Sequence, residues 1–241
     1  MEMHLRILCL PFIGLCLITR VSAQPPLQIK RLTPNCHVFT TFGAYQGGMF
    51  PANGLYLVTP KGVVLLDTPW DSAQFRPLLD SIWLRHKQTV VLAIATHYHN
   101  DRTAGLAFLR QQGIKTYTSK TTWDLCAKFG EPQSEFYFTR DTVFRIGGLE
   151  IETYFPGGGH TRDNIVIWLK EDKILFGGCL VKSRESNSLG NTADAHLQQW
   201  ENSIRNVMGR YPGPNIVIPG HGGWGNRRTL KHTLNLLKKG G

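Results

Sequence analysis

The chain has 241 residues, 41% of them hydrophobic and 18% charged. That composition excludes a disordered chain, a collagen-like repeat and a polytopic membrane protein, and the length suffices for a large core without disulfide support. The formal net charge of +10 favours acidic partners (anionic small molecules, nucleic acid or an anionic membrane surface) without choosing among them.

The chain opens with a stretch that reads as a secretory signal peptide, residues 1–23. His4 and Arg6 precede the apolar run Ile7–Ile18, which Pro11 and Gly14 interrupt, and Val21-Ser22-Ala23 offers small residues for cleavage before Gln24. Spanning a bilayer takes about 20 apolar residues, so this run is too short for an anchor. Leu15 before Cys16 argues against lipid attachment at that cysteine. A single mature domain over residues 24–241 is expected, with no stable membrane insertion. Arg6, Arg20 and Glu2 leave with the signal, which lowers the net charge from +10 to +9. Cys36, Cys126 and Cys179 remain. An odd number of thiols in an oxidising compartment means that at least one is free or holds a metal. Whether Cys36 and Cys126 pair is left open by the sequence.

Along the mature chain, residues 42–51 read as a mobile hairpin tip, with Gly43, Gly47 and Gly48 for freedom and Tyr45, Met49 and Phe50 for apolar contact. Gly54–Thr59 and Gly62–Asp67 flank Pro60-Lys61 as a hairpin. Ser72–His86 carries Phe75, Leu78, Leu79, Ile82 and Trp83 on one helical face, shortened or kinked by Pro77. Val90–Thr96 is a continuous apolar run, as in a strand buried on both faces. Thr103–Gln112 is expected as a helix that Gly113 caps, and Thr121–Lys128 as another. Two more hairpins follow, Thr142–Ile146 with Leu149–Phe155 and Asn164–Leu169 with Lys173–Phe176. The helix Ala195–Met208, the strand Asn215–Ile218 and the helix Arg228–Lys239 complete the set. Strands and helices recur roughly twice in the same order, as two similar halves with sheets covered by helices would.

The chemistry gathers at strand ends, where loops leave the sheet. The run Val90–Thr96 feeds straight into His97-Tyr98-His99-Asn100-Asp101. In extended backbone His97, His99 and Asp101 would share one side, which makes half of a divalent-metal site. Gly157-Gly158-Gly159-His160, Gly177-Gly178-Cys179 and Pro219-Gly220-His221-Gly222 each follow a strand. A lone His or Cys in such a place is more often structural; four strand ends that each deliver a borderline or soft ligand are a joint signal. Six donors exceed the four that one tetrahedral zinc takes, and so suggest two zinc ions. A thiolate donor favours Zn²⁺ over Mg²⁺ or Ca²⁺ and accounts for the odd thiol.

These residues resemble the metallo-β-lactamase superfamily, through the motif His97-x-His99-x-Asp101 with His160 and His221. Most hydrolases of that superfamily carry His directly after the motif Asp, where this chain has Arg102, and Asp where it has Cys179. One β-lactamase subclass has Asn in place of His97. The combination is similar to class B β-lactamases of subclass B1, and the stretches FPANGLYLV, VVLLDTPWD, GGGHTRDNIVIW, GCLVKS, LGNTADA and VIPGHGGWG agree with it. Ala104 is a small departure, where a second glycine is usual.

The resemblance implies an α/β fold, an αββα four-layer sandwich of two mixed β-sheets flanked by helices with the metals at one edge. It implies one zinc on His97, His99 and His160 and a second on Asp101, Cys179 and His221. It further implies hydrolysis of the β-lactam amide of penicillins, cephalosporins and carbapenems through a zinc-bound hydroxide, and hence antibiotic resistance, by a periplasmic enzyme, taken as a monomer. Asn191 would donate to the developing oxyanion, Asp101 would hold the nucleophile and the second zinc, and Lys182 would pair with the substrate carboxylate. Taken alone, Lys182 would read as a solvated lysine and Asn191 as a turn residue. Asp67 and Arg102 would support the metal-binding loop from behind, and the 42–51 tip would be a flap over the substrate.

A hydrolase of the same superfamily acting on thioesters or lactones is the alternative, opposed by Arg102 and Cys179. A non-catalytic zinc- or anion-binding envelope protein leaves the complete ligand set without a purpose. Nucleic-acid binding has only the charge in its favour, with no basic motif interleaved with aromatics.

Overall fold

The computed structural model describes residues 25–239, and the expected signal peptide lies outside them. A seven-stranded sheet comes first in the chain. It comprises β1 (Gln28–Arg31), β2 (Cys36–Tyr45), β3 (Gly48–Thr59), β4 (Gly62–Leu66), β5 (Val90–Ile94), β6 (Lys115–Ser119) and β7 (Phe136–Phe138), in that spatial order. The first four pair antiparallel; β4, β5, β6 and β7 pair parallel through helical crossovers. The second sheet comprises β8 (Val143–Ile146), β9 (Leu149–Tyr154), β10 (Val166–Leu169), β11 (Ile174–Gly178) and β12 (Ile216–Pro219), in the order β12-β11-β10-β9-β8. The helices are α1 (Phe75–His86), α2 (Asn100–Thr103), α3 (Leu106–Gln111), α4 (Lys120–Phe129), α5 (Leu197–Arg210) and α6 (Arg228–Lys239).

The two-residue period of the strands sorts their side chains into layers. Val64 and Leu66 of β4 face inward and meet Ile167, Ile174, Phe176 and Ile218 of the other sheet in one core. Val63 and Leu65, one residue out of phase, face away and pack with Leu78 and Ile82 of α1 and Leu109 of α3. On the far side Val166, Leu175 and Val217 pack with Trp200, Ile204 and Val207 of α5 and Leu230 and Leu234 of α6. Three apolar layers between four structural ones are the αββα sandwich expected above. Each strand buried on both faces reads as a continuous apolar run, as Val90–Ile94 does.

Two helices differ from expectation for identifiable reasons. The helix expected over Thr103–Gln112 starts later, as α3 at Leu106, and Ala104-Gly105 separates it from the short α2, which takes in only Thr103 of the expected span. Gly105 donates its N–H to Thr68 Oγ1 at 2.9 Å, and a Cβ there would lie 2.9 Å from Thr68 Cβ. The contact with Thr68 turns the chain at that point. Pro77 does not end α1, because the helix starts at Phe75 and leaves Pro77 in its first turn, where no N–H is needed. Among the described residues no helix is long and apolar enough to cross a membrane.

Candidate metal centre and substrate cleft

Residues 95–99 leave the end of β5 as a loop. Asp101 does not continue an extended register from His97 and His99, as the sequence suggested; it lies in the first turn of α2. Thr103 Oγ1 bonds the carbonyls of Tyr98 and His99 at 3.1 and 3.0 Å, and the amide of Arg102 bonds His99 O at 2.9 Å, which winds the chain into that turn. The winding still brings Asp101 Oδ1 to 4.0 Å from His97 Nε2.

His160 follows β9, Cys179 follows β11 and His221 follows β12, so the second sheet delivers three donors to meet three from the first. His99 Nδ1 lies 3.2 Å from His97 Nε2 and 3.2 Å from His160 Nε2. Three imidazole nitrogens converging at that spacing fit lone pairs aimed at a common cation. Burial holds His97 and His160 well below the usual histidine range, helped at His97 by His99 and His160 and at His160 by Lys182 and His99. Both are therefore in the neutral form that ligates. His99 Nε2 meets Asp194 Oδ2 at 3.1 Å, which fixes the ring's outward nitrogen.

The second donor set adjoins the first. Cys179 Sγ lies 3.2 Å from His221 Nε2 and 3.5 Å from Asp101 Oδ2, and His221 Nε2 lies 3.1 Å from Asp101 Oδ2. Pro51 O, 2.7 Å from His221 Nδ1, accepts that nitrogen's N–H and so turns Nε2 toward Cys179 and Asp101. Burial lowers His221, but Cys179 and Asp101 outweigh it and push it up to about 9. That corner attracts positive charge. Burial raises Asp101, yet Arg102, His221 and His97 hold it well below the usual carboxylate range.

Arg102 organises the floor. It is fully buried. Its Nη2 lies 2.7 Å from Asp101 Oδ2 and its Nη1 3.3 Å from Asp67 Oδ2, and it donates to Asn53 O at 2.7 Å and Gly220 O at 2.9 Å. Asp67, with φ at 63° and no exposed surface, also takes the amide and hydroxyl of Thr96 at 2.7 and 3.0 Å. These contacts match the supporting places that the resemblance gave both residues.

Above the donors lies a cleft of about 510 Å³, within the size range of small-molecule sites. Tyr45, Phe50 and Trp70 line one wall, and Lys182 and Asn191 the loop opposite. The hairpin of β2 and β3 turns on Gln46 and Gly47, both at positive φ, with Tyr45 paired to Gly48. Its Phe50 stays 45% exposed, a flap-like tip beside the cleft. Lys182 Nζ sits 5.2 Å above the Trp200 ring, and burial lowers its pKa against Cys179 and Asp101. Asn191 Oδ1 accepts the Ala193 N–H at 3.0 Å; the turn is real, and its amide NH₂ is the group left to donate. A groove of about 580 Å³ lined by Leu79, Trp83 and Val91 is larger but holds no donor set.

Sequence reasoning missed Trp70, Glu131 and Asp194, which also line the cleft. Trp70 and Asp194 lie inside the quoted stretches VVLLDTPWD and LGNTADA, so a signal existed for them; Glu131 carried none. Cys36 and Cys126 are both buried and free.

A model of the metallo-beta-lactamase superfamily matches residues 47–221, a span that includes all six donors. The chain is 43% identical over 212 residues to a metallo-beta-lactamase type 2 of Bacillus cereus, covering 88% of this chain and 83% of that one. It superposes on a solved metallo-beta-lactamase from Pontibacter korlensis with a TM-score of 0.86 at 41% identity, covering 88% of this chain and 99% of the other. The structure of FIM-1 from Pseudomonas aeruginosa, solved in a mono-zinc form, matches with a TM-score of 0.83 at 33% identity over 90% of this chain and 97% of that one. With its sandwich, its two donor sets and these relatives, the chain belongs to the metallo-beta-lactamase superfamily and is a metal-dependent hydrolase.

Proposed function

We propose that this protein hydrolyses the β-lactam amide bond of penicillins, cephalosporins and carbapenems with two zinc ions, and thereby confers resistance to them. The observation that carries the reading is the juxtaposition of a three-imidazole set, an Asp-Cys-His set and a lysine-bearing cleft. His97, His99 and His160 would hold one ion, and Asp101, Cys179 and His221 the other. Imidazole with thiolate suits zinc better than magnesium or calcium. Bound zinc supplies an acidified water at neutral pH and a Lewis acid for the lactam carbonyl.

The chain's own groups do the rest. The half-desolvated ammonium of Lys182 pairs with the substrate carboxylate and fixes the ring over the donors. The Asn191 amide donates to the lactam oxygen as negative charge develops there. Asp101, held ionised by Arg102, keeps Oδ1 between the two sets and orients a water proton at that atom. Tyr45, Phe50 and Trp70 cover the apolar substituent and exclude bulk water. The reading includes export to the periplasm with loss of residues 1–23, and a monomer.

The test is hydrolysis of a carbapenem by the purified protein, followed at the lactam absorbance with and without chelator, with zinc measured on the same sample. Activity lost to chelator and regained with Zn²⁺, at close to two zinc per chain, is the expected result. Two bound zincs with thioester or lactone turnover and no β-lactam turnover would overturn it. The mass and elution volume of the secreted protein check the cleavage and the monomer.

A further inference from the structure

We propose that Thr233 and His232, on the C-terminal helix α6, are positioning residues that set where Lys182 reaches into the cleft. The inference rests on the reading that Lys182 takes a substrate carboxylate. Neither residue lines the cleft. Both act through the loop 182–191, which contains no helix or strand and is held by short-range bonds such as Ser186 N–H to Ser183 O and by partners outside it.

Thr233 is fully buried on a helix face that otherwise packs Leu230 and Leu234 against α5 and the second sheet. A buried hydroxyl on such a face costs stability unless it is paired, and valine would fill the same space. The hydroxyl is paired with the loop. It accepts the Lys182 N–H at 2.9 Å and passes its own proton to Thr229 O at 3.1 Å, one turn back. Four residues along the loop, His232 Nε2 meets Ser186 O at 2.8 Å. Two adjacent helical residues thus grip the loop at its first residue and its middle, and Ser186 lines the cleft.

The grip matters because it holds the lysine's own backbone amide. Leu180 and Val181 anchor the chain just before it in the apolar layer under α5 and α6. The Trp200 face carries the ammonium, 5.2 Å away. Between these two anchors the position of the Lys182 backbone, which Thr233 holds, decides how far Nζ extends.

The experiment compares benzylpenicillin with its methyl ester, the same lactam without the charge, in the zinc-loaded protein. Thr233→Val should raise KM for benzylpenicillin about tenfold, the scale of one buried hydrogen bond lost. It should leave kcat within about twofold and leave ester turnover and zinc content unchanged, while Thr233→Ser restores the wild-type KM. His232→Leu should raise the same KM by a smaller factor, and His232→Gln, which keeps a donor, should restore it. If Thr233→Val fails to fold, the His232 pair decides. Equal losses on acid and ester, or a fall in zinc content, mean a merely structural role and overturn the inference. A wild-type protein that opens neither substrate overturns the proposed function and this inference with it. If Lys182→Ala raises the acid's KM while the helix variants do not, the lysine reading stands and the inference alone fails.

Discussion

Replacing Arg102 by Met tests whether the floor of the metal centre is held by charge. The substitution keeps apolar bulk and removes the guanidinium from between Asp67 and Asp101. It also removes a buried donor from Asn53 O, while Gly220 O keeps the Asn53 N–H at 2.8 Å. Breaking a buried ion pair from one side costs about 3–5 kcal/mol, and the lost hydrogen bond to Asn53 O about 1 kcal/mol more. Part of this returns, because Asp67 can take a proton. Burial already raises Asp67 to about 6 in the face of Arg102 and its bonds to Thr96, and without Arg102 it rises further. The net expectation is therefore a loss of about 3–5 kcal/mol at pH 7, out of a total of roughly 5–15 kcal/mol for a typical domain. Asp67 titrates near 6 with Arg102 beside it and higher without it, so the part of Arg102's contribution that runs through Asp67 is present above about pH 6 and is lost as pH falls through that value, where Asp67 is protonated with or without Arg102. Urea unfolding of the metal-free protein, followed by fluorescence of its six tryptophans, should show the loss at pH 7 and a smaller one at pH 5. Removing Asp67 as well, in Arg102→Met/Asp67→Leu, should recover about 1–2 kcal/mol, because the two share one network. A loss under about 1 kcal/mol at pH 7 would refute the reasoning, since a surface ion pair is worth no more than that.

Three further outcomes can be checked. Gly220→Ala places a Cβ 2.6 Å from Cys179 Sγ and 2.9 Å from its amide; zinc content should fall and kcat/KM drop by at least about tenfold, since displacement of a reacting group by about 1 Å can cost two orders of magnitude. Lys182→Glu should raise KM sharply for carboxylate-bearing β-lactams, and unchanged steady-state kinetics would remove the lysine from the site. His37 is stacked on Tyr56 at 4.5 Å and has its Nδ1 unpartnered among the described residues. Burial, then His86, Arg31 and Arg85, lowers it to about 4. Its contribution is then complete above pH 6.5 and lost as pH falls toward 4, so thermal unfolding of His37→Phe should shift less over that window than the wild type.

The six residues that the structure brings together as possible metal ligands were legible in the sequence because metal chemistry admits few residue types and close packing admits few neighbours. The glycines beside them are needed for close approach: a Cβ at Gly158 would meet His196, and one at Gly220 would meet Cys179 Sγ. The apolar run of β5 announced a strand buried on both faces, and those of β4 and β11 were legible as hairpin strands. Strand β2 escaped because its pattern is masked by polar residues that find partners inside. Thr41 is fully buried and takes the Trp70 N–H. Strands β6 and β7, at five and three residues, are too short to carry a period. The break between α2 and α3 goes with a contact to Thr68, 37 residues away, which no local pattern encodes. The winding at Asp101 goes with Thr103 bonding carbonyls four and five residues back, a local contact that the extended reading of His97-x-His99-x-Asp101 passed over.

The place of the site in the fold explains why a buried polar network lies beneath it. His97, His99 and Asp101 come from the first sheet, and His160, Cys179 and His221 from the second. Donors split in this way are only as well placed as the two sheets are relative to each other. Apolar side chains between sheets exclude water but direct no bond, and small slides cost them little. Directional contacts across the seam set the register: Asn53 N and Nδ2 to Gly220 O and Pro219 O at 2.8 and 3.0 Å, Ile165 N to Thr96 O at 2.9 Å, and Arg102 to Gly220 O. The same bonds run through the loops that carry His97, His160 and His221. A slide of either sheet would orphan several buried polar groups together, each at about 1–3 kcal/mol. The donor spacing is therefore fixed by the seam before any ion arrives, and the polar floor under the centre serves the precision of the site as much as the stability of the fold.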